Sequence, residues 1–126
     1  MKRAYLSLEK LEVYKLARQL STFAWQVYES FDWRIKKIIG DQFVTSTDSV
    51  GANIAEGYGR FHYLDKVRFY YNARGSLLES RHWLDLLKER KIISAKDINK
   101  YLITYKNLRI VLNGLISSAM KAKIGE

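Results

Sequence analysis

The chain reads as all-α, an antiparallel up-and-down four-helix bundle, on three observations. Its 126 residues contain no proline, four segments repeat apolar side chains at helical spacing, and a few residues separate each segment from the next. Proline breaks helix interiors and populates turns, so its absence removes the usual punctuation of an all-β or loop-rich fold. Short connections between long amphipathic helices favour neighbours that run in opposite directions. No internal repeat or low-complexity tract competes with one domain over residues 1–126. A domain of that size buries roughly 65–70% of the surface its unfolded chain exposes, enough for one real core.

The first helix is expected over residues 8–31, where Val13, Leu16, Ala17, Leu20, Phe23, Ala24, Val27 and Phe31 share one face. Asp32 is placed to cap the second, expected over residues 33–56, because a short acidic side chain accepts from the free N–H groups of a first turn. Its core face is Ile35, Ile39, Phe43, Ser46, Val50 and Ile54, and Ser49, Gly51, Ala52 and Ala55 make its second half slim enough for close approach by a neighbour. Gly57 and Gly59 then end it, through the left-handed conformation glycine tolerates just past a helix C-terminus. A third helix over residues 63–89 carries the stripe Phe69, Tyr70, Ala73, Leu77, Trp83, Leu84 and Leu87. Ser94 with Asp97 three residues on has the form of a capping box for the fourth helix, residues 95–121, which presents Ile98, Leu102, Tyr105, Leu112 and Ile116.

Twenty-two Lys and Arg against thirteen Asp and Glu give a formal charge of +9, which favours a polyanion such as RNA or DNA, or an acidic protein, as partner. With no cysteine there is no disulfide framework, thiolate metal site or cysteine nucleophile. The basic start Met1–Tyr5 is followed by Glu9, Lys10 and Glu12, not by an apolar run, and no segment approaches the roughly 20 apolar residues of a membrane span. The expectation is a soluble cytoplasmic protein with no membrane partner.

One stretch has the character of a signature: Asn53-Ile54-Ala55-Glu56-Gly57-Tyr58-Gly59-Arg60, then Arg68-Phe69, then Gly75-Ser76-Leu77-Leu78-Glu79. From about Leu11 to Lys91 the chain resembles the small four-helix-bundle proteins encoded in intervening sequences of bacterial 23S ribosomal RNA genes. The resemblance implies a ring-like homopentamer. The chain departs from the usual family pattern at Asp32 and Gly51, where proline is common, at Arg81, where an acid is common, and at Val44-Thr45, where a basic pair is common. These departures mark a divergent member and move its basic residues to new positions.

Each bundle helix needs one buried stripe, yet the first also places Tyr14, Trp25 and Tyr28 on a flank away from Val13, Leu20 and Val27. The third does so with Tyr71 and Leu78, the fourth with Ile103 and Ile110. Apolar surface recurring on three helices predicts subunit association, with Tyr14, Trp25, Tyr28, Tyr71 and Leu78 as interface candidates. The competing view is that these rings lie along the bundle edge with their polar tips in water.

Arg74, Arg81 and Lys88 fall seven residues apart on one line of the third helix, and Arg60, Lys66 and Arg68 lie near its start. These six are the nucleic-acid candidates, since such a row can follow a phosphate backbone while Phe61, His62 and Tyr63 stack on unpaired bases. A solvated helix face would look the same. Asn53, Glu56, Gly57, Glu79 and Arg109 are expected to order the bundle. Arg109 lies in the apolar arc between Tyr105 and Leu112, so its buried guanidinium would need Glu56 or Glu79 as partner.

Glu79-x-x-His82 has the spacing of a di-iron half-site, but such a site needs a second copy of the motif, and His62 lacks a Glu three residues before it. No nucleophile elbow, phosphate loop or diagnostic carboxylate pair is present. The sequence therefore predicts a non-enzymatic protein without catalytic residues, metal or cofactor. Its function is expected to be that of an oligomer binding RNA or other nucleic acid through a basic surface, the alternative being a protein–protein interaction adaptor.

Overall fold

The computed structural model describes residues 6–124, and among them there are four helices and no strand. Helix α1 is Glu12–Glu29, α2 occupies residues 33–58, α3 is Tyr63–Glu89 and α4 is Ala95–Ile124. Both α1 and α3 pack against α2 and against α4, so α1 stands diagonal to α3 in a four-cornered helical bundle. The basic start Met1–Tyr5 lies outside the described residues.

The core follows from spacing. Val13, Ala17, Leu20, Ala24 and Val27 on α1, and Tyr101, Tyr105, Leu108, Leu112, Ile116 and Ala119 on α4, advance by three or four residues, the pattern that keeps one seam turned inward in a bundle. Leu20, Phe43, Leu77 and Leu108 are all but inaccessible to solvent, each worth about 1.5–3 kcal/mol of burial. Tyr101 and Leu108, absent from the expected stripe, belong to this core, whereas Leu102 is only half-buried.

Tyr101 also carries the polar centre of the bundle. Its ring lies 5.2 Å from Phe43, and its hydroxyl lies 2.9 Å from Thr47 Oγ1. Thr47 spends its single proton on the Phe43 carbonyl at 2.8 Å, so Tyr101 donates and Thr47 accepts. Burial pushes the Tyr101 phenol up to about 12. Thr47→Val removes the acceptor from a buried hydroxyl and should cost about 1–2 kcal/mol. Tyr101→Phe leaves Thr47 bonded to Phe43 and should cost about 1 kcal/mol or less. Urea denaturation of the two variants tests that order.

The helix boundaries correct the expectation in four places. Residues Leu8–Lys10 form a 3₁₀ turn, and Leu11, extended at φ −72° and ψ 122°, packs on the core and starts α1 at Glu12. Asp32 caps α2 as expected, accepting from Ile35 N at 2.9 Å. That helix, however, contains a π turn at Lys36–Gly40, where Asp41 N reaches back to Lys36 O. The extra residue brings Gly40 against Tyr28 and Phe31, where a Cβ would stand 3.0 Å from Tyr28 Cδ2. Helix α2 then continues through Gly57 to Tyr58, and α4 reaches Ile124.

The left-handed residue expected at Gly57 or Gly59 is instead Lys91, at φ 57°. Ile92 N bonds to Leu87 O at 2.9 Å and Lys91 N to Lys88 O at 3.0 Å, closing α3 by a Schellman motif. A side chain in that conformation is strained, so Lys91→Gly should raise the unfolding free energy by about 1 kcal/mol. Ser94 Oγ accepts from Asp97 N at 3.1 Å, the capping contact expected at the start of α4.

Candidate functional site

The signature residues converge on the corner between α2 and α3. Asn53 Nδ2 donates to Ser49 O at 2.8 Å, and Glu56 pairs with Arg60 at 3.6 Å. Gly57 is buried beneath α3, where a Cβ would come within 2.7 Å of Tyr70 Cε1 and 3.0 Å of Phe69 Cβ. Gly59 has an ordinary right-handed backbone, φ −78° and ψ −9°. Carbonyls at the end of α2 accept from Lys66 Nζ, Tyr58 O at 2.9 Å and Gly57 O at 3.3 Å, and burial lowers the pKa of that amine. Tyr58 donates to Leu6 O, tying residues before α1 to the same corner. Arg60 and Arg68 both lie over the Phe69 ring, at 4.8 and 5.1 Å.

Two expectations for the structural residues fail. Glu79 accepts from Trp83 Nε1 on its own helix at 3.0 Å and pairs with no arginine among the described residues. Arg109 is exposed, and among the described residues no ion pair involves it. The inward arc on α4 is narrower than the sequence suggests, so Arg109 falls on the α3–α4 seam. There it shares a groove of about 280 Å³ with Arg74, Leu78, Tyr105 and Asn113.

The six basic candidates do not form one open row. Arg68 pairs with Asp65 at 3.8 Å and Arg81 with Asp85 at 3.0 Å, while Arg74 donates to Asn113 Oδ1 at 3.2 Å. With Arg60 on Glu56 and Lys66 on the α2 carbonyls, Lys88 alone of the six is without a bonded partner among the described residues. The exposed pairs at 3.6 and 3.8 Å are weak and can be exchanged for phosphate, since such pairs contribute about 0–1 kcal/mol. Beside them the Phe61 ring is 88% exposed and stands edge-on to His62 at 5.1 Å. The row therefore divides into an open aromatic and basic corner at the start of α3 and an inward pair, Arg74 and Arg81, on the α3–α4 seam.

The interface candidates divide as well. Trp25, Tyr71 and Leu78 are exposed, at 50%, 43% and 59%. Tyr14 and Tyr28 are half-buried and partly absorbed by the bundle: Tyr14 takes a bond from Arg18, and Tyr28 packs against Gly40 and donates to Asp41 at 2.6 Å. Trp25 stacks on Tyr28 at 5.2 Å on the α1–α2 side, whereas Tyr71 and Leu78 lie along the opposite pair, α3 and α4. Ile103 and Ile110 extend the apolar exposure of α4. Trp33, exposed in the first turn of α2, escaped notice because it falls off every apolar stripe.

Among the described residues no three His, Cys, Asp or Glu side chains gather closely enough to hold a metal, and no helix is long and apolar enough to cross a membrane. His82 is exposed beside Trp83, 4.8 Å between rings.

The corner built by Asn53, Gly57, Phe69 and Tyr70 lies within the segment, residues 9–114, that matches the family model of the 23S rRNA-intervening sequence protein. The chain belongs to that family. None of the curated proteins matches it. Among solved structures the 23S rRNA-intervening sequence family member resembles a protein of unknown function from the S23 ribosomal protein family of Bacteroides thetaiotaomicron. The TM-score is 0.75 over 82% of this chain and 97% of that one, with 18% identity. At that identity the likeness is one of fold.

Proposed function

We propose that this 23S rRNA-intervening sequence family member is a cytoplasmic, non-enzymatic protein that assembles with copies of itself and binds RNA. Each subunit is an antiparallel up-and-down bundle. That sense is supported by Tyr14 meeting Gly51 while Tyr28 meets Gly40, and by Arg74 reaching Asn113 while Arg81 lies over Tyr105. The observation that carries self-association is the apolar exposure of Tyr71, Leu78, Ile103 and Ile110 on α3 and α4, which a lone bundle leaves in water. A ring of five is the arrangement the family resemblance favours. RNA binding rests on the net charge of +9 and on the open corner around Arg60, Arg68 and Phe61.

Light scattering tests the assembly. Trp25→Ser with Tyr71→Ser should give smaller particles with unchanged helical circular dichroism, because neither residue belongs to the buried seam. An unchanged mass removes these residues from the interface. A mobility-shift series with single-stranded RNA tests the second half: affinity should fall steeply with salt. Absence of binding at low salt, together with co-purification of one acidic protein, would leave the adaptor role instead.

A further inference from the structure

We infer that the basic segment Met1–Tyr5 belongs to the RNA-binding corner, where Lys2 and Arg3 add phosphate contacts that the corner itself lacks. This deepens the RNA reading proposed above and rests on it.

The start of α1 and the end of α2 lie at one end of the bundle, since Tyr14 lines a groove with Gly51, Ala52 and Ala55. Two contacts hold the chain before α1 at that end. Leu11 packs on the core, and the Leu8–Lys10 turn closes onto it, Leu11 N donating to Leu8 O at 3.0 Å. Before that turn, Tyr58 donates to Leu6 O. The donor is itself held from α3: Lys66 Nζ donates to Tyr58 O at 2.9 Å and lies 5.5 Å from the centre of the Tyr58 ring. Arg60 follows Tyr58 by two residues, and its backbone N–H donates to Gly57 O at 3.2 Å. Leu6 is thereby held beside the turn that presents Arg60 and Phe61.

Covalent reach does the rest. Arg3 precedes Leu6 by three residues and Lys2 by four. Even fully extended, those stretches of chain span at most about 11 and 14 Å, close to the Debye length of about 8–10 Å at ordinary ionic strength. The two charges stay in the neighbourhood of the corner whatever contacts they make.

The corner gains from them. From Glu56 to Phe69 three cations, Arg60, Lys66 and Arg68, stand against two acids, Glu56 and Asp65. Lys66 is engaged with helix carbonyls, and a phosphate that displaces Glu56 and Asp65 from the arginines leaves both carboxylates beside the polyanion. Lys2 and Arg3 raise the local balance from +1 to +3 and offset that repulsion.

Binding of a fluorescein-labelled oligouridine, followed by anisotropy over a salt series, tests the inference. Lys2→Gln with Arg3→Gln should weaken binding at low salt about tenfold and lower the salt slope by roughly one for each of two phosphate contacts. Tyr58→Phe keeps every charge and the ring beneath Lys66 but releases Leu6, and should weaken binding about threefold. Lys37→Gln with Lys96→Gln removes the same charge at exposed positions away from the corner and should change binding by less than about twofold. Circular dichroism should match the parent in all three. Equal losses in the Lys2, Arg3 variant and the control would show that the segment supplies net charge alone and overturn the inference. Parental binding by Tyr58→Phe would overturn placement of the segment by Tyr58. If charge reversal at Arg60 and Arg68 abolishes binding while both segment variants bind like the parent, the inference fails and the RNA reading stands. A parent protein that binds no oligouridine at low salt removes both.

Discussion

Gly57→Val should destabilise the bundle by about 3 kcal/mol or more, the largest single-residue loss expected outside the apolar core. Even the first added carbon would lie 2.7 Å from Tyr70 Cε1 and 2.9 Å from Tyr70 Cδ1, closer than real Cβ atoms approach. Tyr70 cannot swing away, because it is buried at 2% exposure, and that burial pushes its phenol up to about 12. The remaining neighbour is Phe69 Cβ at 3.0 Å, held by the backbone of α3. Relief therefore requires α2 and α3 to move apart at the corner where Lys66 joins them.

Gly59→Ala is the internal control. Gly59 has a right-handed backbone and its added carbon would meet nothing closer than Ala55 O at 3.6 Å, so the change should be neutral or stabilising by roughly 0.4–1 kcal/mol. Urea denaturation of Gly57→Val, Gly57→Ala and Gly59→Ala reads the order directly. Equal effects at the two positions would mean that both glycines serve the chain's conformation and that close approach of α3 is not what Gly57 permits.

How much of this was legible in the sequence depends on what each feature is made of. Four helices, the Asp32 cap and the Ser94 cap were readable because periodicity and capping are local, within about one turn. The role of Gly57 was not, since its reason stands on another helix; the local rule for glycine at a helix end predicted a left-handed turn that Lys91 supplies elsewhere. The π turn at Lys36–Gly40 is likewise a fit between Gly40 and Tyr28, invisible to a fixed period. Arg109 was misplaced because angular position on an ideal helix does not separate the inner seam from its edge. The stripe of Arg74, Arg81 and Lys88 was correctly one line of α3, but the sequence did not reveal that Asp85 and Asn113 hold two of its members.

That division of the cations leads to the second large effect. Charge reversal at Arg60 and Arg68 should weaken single-stranded RNA binding on the order of tenfold or more and lower the salt slope by roughly one for each phosphate released, while the oligomer stays intact. Both guanidiniums are exposed, rest on the Phe69 ring and are restrained only by long ion pairs at 3.6 and 3.8 Å, so a phosphate can displace Glu56 and Asp65. Phe61→Ala at the same corner should remove about 1–3 kcal/mol of stacking without changing that slope, because an apolar ring releases no counterion. Reversal at Arg74 and Arg81 should act differently. Arg74 and Arg81 belong to the α3–α4 seam, and reversal at Arg81 sets two acids one turn apart with Asp85, so the variant should lose subunits first. Two exposed cations away from both regions, Lys37 and Lys96, make the charge-matched control. Equal loss of RNA affinity in all three double variants would show that binding follows net charge, and the corner at the start of α3 would then not be the site.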